Sequence, residues 1–143
     1  MTACIFNGCG VQSQHNDTSD YELNAASFDV KHLKLVESET GIVLPPDSQG
    51  QNFLWRGRQI DPSFLAKIAI TNKSVNAFTN QVGRLPNQEI NVNAPTTAGV
   101  AWWHPSKGTI AVEKTYIRKA CYVHVIVCQE NQVWVLYVEW IST

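Results

Sequence analysis

The chain is 143 residues long, enough for one domain with a real core. Charged residues make up 16% of it and the formal net charge is −1, against about 25% charged residues in a typical soluble domain. No basic run and no aromatic-basic interleaving is present, which argues against a nucleic-acid partner, and no apolar run approaches the ~20 residues needed to span a bilayer. Asn, Gln, Ser and Thr carry the surface instead, a composition that suits an envelope or secreted protein.

The first residues bear on the cellular address. A short apolar segment ends in Phe6-Asn7-Gly8-Cys9, and small, polar residues follow at once. This resembles the tail of a bacterial lipoprotein signal peptide, in which Gly or Ala precedes the lipidated Cys. The resemblance covers residues 1–9 as the remnant of a truncated signal and implies lipidation at Cys9. It also implies membrane attachment facing the periplasm or the exterior. Residues 10–24 have almost no apolar periodicity and read as a flexible tether. Residues 25–143 read as a single α+β domain.

Ser27 is placed to cap a helix running to Glu39, with Val30, Leu33, Leu35 and Val36 as its apolar stripe and Gly41 at its end. Pro45 and Pro46 then set an extended exit. Residues 51–60 and 64–71 read as two strands around the turn Asp61-Pro62-Ser63. Arg56 and Arg58 share one face of the first, which suits either an anionic group or a solvated edge. Ser74 to Val82 reads as a short helix with Val75, Phe78 and Val82 on one side. Residues 84–108, interrupted by Pro86, Pro95 and Pro105, are too long for a plain connection and have the length of a functional loop. Short strands are expected within it at Glu89–Val92 and Val100–Trp103, and a longer one follows from Thr109 to Arg118.

The C-terminal stretch organises the rest. Cys121, Val123, Val125 and Val127 alternate against Trp134, Leu136, Val138 and Trp140, so a hairpin buries one whole face. A turn at Glu130-Asn131 sets the expected register, with Cys121 opposite Trp140 and Tyr122 opposite Glu139. The fold class is therefore α+β: an antiparallel sheet of four to six strands, two helices packed on one face, and the C-terminal β-hairpin as core.

Four cysteines raise the question of disulfide or metal chemistry. Cys121 and Cys128 lie ~23 Å apart on opposite faces of one strand and cannot pair with each other. With Cys9 lipidated and Cys4 removed, both are expected as unpaired buried thiols. His124 and Cys128 are ~13 Å apart, too far to share one metal. No metal and no cofactor is expected. A small Cys-His hydrolase drawn from Cys121 or Cys128 with His104 or His124 is the minority reading, since a buried strand thiol lacks access.

Trp102-Trp103-His104-Pro105 is the remaining signal. On a strand, adjacent indoles point to opposite faces, so one ring can support the core while the other contacts a partner. Trp102, Trp103 and His104 are thus the candidate partner-binding residues, with no catalytic residue among them. The layout as a whole resembles small bacterial lipoproteins. The leading expectation is a lipid-anchored, non-catalytic binding module of the envelope, with a toxin-neutralising immunity protein as one specific version. A structural or assembly factor of the envelope, working through edge-strand or oligomer contacts, is the alternative.

Overall fold

The computed structural model describes residues 19–92 and 96–142. Its strands are β1 (Asp20–Leu23), β2 (Gln49–Arg56), β3 (Ser63–Ile70), β4 (Thr109–Arg118), β5 (Cys121–Glu130) and β6 (Val133–Ile141). They form one antiparallel sheet in the order β1-β2-β3-β6-β5-β4. Helices α1 (Val30–Thr40) and α2 (Asn72–Gly83) contribute to the same core as one face of that sheet, giving the α+β class.

The core face alternates along every long strand. Phe53 and Trp55 on β2, Phe64 to Ile70 on β3, Val123 to Val127 on β5 and Leu136 to Trp140 on β6 supply it. Trp55, Phe64 and Trp140 fall on one cross-strand row, and their rings stack with centroids 5.2 to 6.2 Å apart. Each such ring contributes about 1.5–3 kcal/mol by leaving water, so this row anchors the domain.

The hairpin of β5 and β6 has the expected faces in a different register. Asn131 and Gln132, both at positive φ, form its two-residue turn, the backbone twist that tight hairpins favour. Val123 therefore opposes Trp140, and His124 opposes Glu139. The turn lies one residue later than expected, and each pairing shifts by two. Because side chains alternate with period two, that shift leaves every residue on its expected face.

Three boundaries differ from expectation for local reasons. Residues 20–23, read as part of the tether, form β1, where the Tyr21 ring stacks on Phe53 at 6.2 Å; four residues carry too little alternation to register as a strand. The earlier part of the tether and Cys9 lie outside the described residues. Helix α1 is capped by Asp29, whose carboxylate accepts from the His32 N–H at 3.2 Å, rather than by Ser27. Phe28 has first to enter the core over Gly50, where any Cβ would meet its ring at 2.2 Å. Val30 is then exposed, and Leu35, Val36, Glu39 and Thr40 are the buried residues. Finally, residues 89–92 and 100–103 form no strand.

The connection after α1 joins both helices. Gly41 ends α1 in the left-handed region (φ 78°), its N–H donating to the Glu37 carbonyl. Gln81 of α2 holds both backbone groups of Val43, at 2.7 and 2.9 Å. Asp47 accepts from the Thr71 and Ser74 hydroxyls at the N-terminus of α2, where a carboxylate complements the helix dipole.

Candidate partner-binding face

The face opposite the helices is built from cross-strand rows. One row runs Glu22, Leu54, Leu65, Glu139, His124, Thr115; the next runs Asn52, Lys67, Tyr137, Ile126, Glu113. Polar and apolar positions are mixed along both, so this face needs a cover that offers hydrogen bonds as well as apolar contact.

Residues 84–92 and 96–108 provide that cover, held by specific contacts. Gln88 donates its N–H to the Thr115 carbonyl at 2.7 Å, and the Asn87 side chain accepts from the Thr115 N–H. Thr96, buried, donates its hydroxyl to Glu139 while its carbonyl accepts from the Arg56 guanidinium. Trp102 donates its indole N–H to Glu22 on β1 at 3.0 Å. The Trp103 ring meets Tyr137 edge-on at 5.0 Å and closes a small apolar cluster of Ile126, Cys128, Val135 and Tyr137. A 3-10 turn at Pro105–Lys107 leads into β4.

Two charged clusters lie beneath. In the first, the Glu130 carboxylate accepts from the Tyr137 hydroxyl, pairs with the Lys67 ammonium at 3.2 Å and lies 3.2 Å from Nδ1 of His104. Burial opposes ionisation of Glu130, but the Tyr137 hydroxyl and Lys67 outweigh it and hold the carboxyl below its usual range. Burial and the same carboxylate push the Tyr137 phenol far up. In the second cluster, His124 lies between Glu139 (3.3 Å) and Glu113 (2.7 Å). Burial disfavours its imidazolium, yet the hydrogen bonds to the two carboxylates prevail and raise its pKa above 6.5.

Cys128 is a free, fully buried thiol, pushed up to about 11 by burial and by Glu130, the wrong direction for a nucleophile. Cys121 is not the unpaired thiol expected from the sequence: it is disulfide-bonded. Geometry on β5 kept it from Cys128, and its pairing beyond that strand was not legible from strand spacing.

Of the candidate residues, Trp103 and His104 both rest against Tyr137, whereas Trp102 reaches β1. Without a strand at 100–103 there is no strict alternation, and the turn there sends both Trp103 and His104 to the sheet. The indoles of Trp102 and Trp103 lie 6.4 Å apart. The sequence reading missed Lys67, Glu130 and Tyr137 as supports of His104. It also missed the pairing of His124 with Glu139, which the two-residue register difference concealed. In comparisons with protein-family models, curated proteins and solved structures, nothing matches this chain.

Proposed function

We propose that the chain is a non-catalytic binding module of the bacterial cell envelope that holds a protein partner against its covered sheet face. The observation that carries this reading is the unequal use of two adjacent indoles. Both rings are partly exposed, but they are held differently: Trp103 packs against an apolar cluster, while Trp102 is oriented by Glu22 and by the Trp103 ring. A pre-oriented, partly exposed Trp on a pinned segment is the kind of side chain that dominates interface energetics, because little entropy is lost on binding. His104 rests on the Glu130 carboxylate.

The disulfide at Cys121 supports an oxidising compartment, in keeping with the low charged content. It bears on the anchor as well. Of the four cysteines in this sequence, a chain cleaved before Cys9 and acylated there would keep only Cys121 and Cys128 as thiols, and Cys128 is free. Disulfide and lipid anchor are thus competing fates, and the envelope address rests on the first. A secreted toxin is the specific partner class this module suits, as an immunity protein. Assembly through edge-strand pairing is less favoured, because Asn87 and Gln88 already occupy backbone groups of Thr115 on the outer strand β4.

The test is partner binding by Trp102→Ala. Binding should fall by a factor of about 30 or more, the loss of a hot-spot residue, with the melting temperature nearly unchanged. Unaltered binding would remove Trp102 from the interface and with it this reading.

A further inference from the structure

At the end of the covered face where β2 passes into β3, a cavity of about 450 Å³ opens, within the range of small-molecule sites. It shares no lining residue with Trp102, Trp103 or His104, so it stands apart from the partner surface and does not depend on it. Ile60, Val92, Ile117, Tyr122 and Ile141 form its walls. Three of these are exposed large apolar side chains: Ile60 at 98%, Ile117 at 45% and Val92 at 39%. Scattered singly, such residues need no explanation. Here they converge on one opening from three separate segments, the β2–β3 loop, the cover and β4.

The polar groups of the lining define the rest of a ligand. Gln59, Asn91 and Ser142 are neutral hydrogen-bonding side chains, and Asp61 is the one charged residue among the described lining residues. The Arg56 guanidinium, which shares a cross-strand row with Ile141, donates to the Thr96 carbonyl and is not among the described lining residues. An anionic head would meet Asp61 with no cation among the described lining residues to balance it, whereas a neutral hydroxyl-rich head finds donors and acceptors. We propose that this cavity binds the aliphatic chain of a neutral amphiphile, with the head at the Gln59, Asn91 and Ser142 rim.

The experiment is calorimetric titration of the full chain with decyl maltoside below its micelle-forming concentration, with maltose and decanoate as comparators. Decyl maltoside should bind saturably at one site, maltose should not bind, and decanoate should bind at least about tenfold more weakly. Ile60→Asp and Ile117→Asp place a charge at the mouth on side chains already exposed; both should weaken decyl maltoside at least about tenfold without lowering the melting temperature. Val30→Asp makes the same change at an exposed position on α1, outside the cavity lining, and should leave binding unaltered. No saturable binding of decyl maltoside would overturn the proposal. So would decanoate binding as tightly, or Val30→Asp weakening binding as much as Ile60→Asp.

Discussion

His124 on β5 and Glu139 on β6 are a directly opposed cross-strand pair, with Nδ1 of the imidazole 3.3 Å from the carboxylate Oε1. The other ring nitrogen meets Glu113 on β4 at 2.7 Å, so one imidazole links three neighbouring strands. Glu139 in turn accepts from the Thr96 hydroxyl. The charge of a single histidine thereby bears on how the cover is held to the sheet.

Stability should accordingly depend on pH. The folded-state pKa of His124 lies above its ordinary 6.5, so the imidazolium contribution is complete below that pH. It is lost as pH rises through the higher folded value. Urea melts from about pH 5.5 to about pH 8.5 should show stability falling with pH across this window. His124→Gln should flatten that part of the profile. An unchanged slope in the variant would assign the dependence to another group.

Glu39 supplies a second, separable dependence. It is 2% exposed at the end of α1, and burial raises its carboxyl to about 7 despite Lys119 and Arg118 nearby. A raised acid contributes stability that is present below its ordinary 4.5 and disappears as pH climbs to about 7. Glu39→Gln should therefore be more stable than the parent at pH ~8 by on the order of 1–3 kcal/mol. That advantage should vanish near pH ~4. A variant destabilised equally at both pH values would show that the carboxylate has a compensating partner.

The turn of the last hairpin offers a test of register. Asn131 and Gln132 both have positive φ, at 48° and 68°, a region that costs a non-glycine residue roughly 1–2 kcal/mol. Gln132→Gly creates the Asn-Gly pair such turns prefer and should raise stability by about 0.5–1 kcal/mol, net of glycine's extra unfolded-state entropy. A turn at residues 130–131 instead predicts a small loss from the same substitution.

Much of the architecture was legible because alternation is a robust signal where one face is fully buried. The faces of Val123, Val125, Leu136 and Trp140 followed from period two alone, and so did the buried side of α2 at Val75, Phe78 and Val82. Register was less legible, since a two-residue slip conserves every face and only the turn residues distinguish the alternatives. The site was least legible. Trp102, Trp103 and His104 stand out by residue type, but their supports Glu22, Tyr137 and Glu130 lie 80, 34 and 26 positions away in sequence, and only the fold brings them together. Arg56 gave no sign that its guanidinium would meet the Thr96 carbonyl.

The cysteines should differ in chemistry. Cys128 is buried with its thiol raised to about 11, so alkylation should require unfolding and proceed without reductant. Cys121, as a disulfide, should react only after unfolding and reduction together. Labelling of Cys121 in unfolded, unreduced protein isolated from the producing cell would contradict the oxidised state from which the proposed compartment is argued.

The proposed binding surface is tested most directly by site-specific photocross-linking in the producing cell, with a benzophenone side chain at Ser106 or at Val30. Both positions are exposed, but Ser106 lies in the turn that directly follows His104, whereas Val30 begins α1, on the opposite side of the sheet. The account predicts one discrete protein adduct from position 106 and none from position 30. Adding Trp102→Ala should abolish that adduct while the melting temperature stays put, and Trp103→Ala should instead unfold the cover, at a cost of about 2–4 kcal/mol. An adduct that persists in the Trp102→Ala chain, or that forms equally from position 30, would contradict the claim that this face holds the partner.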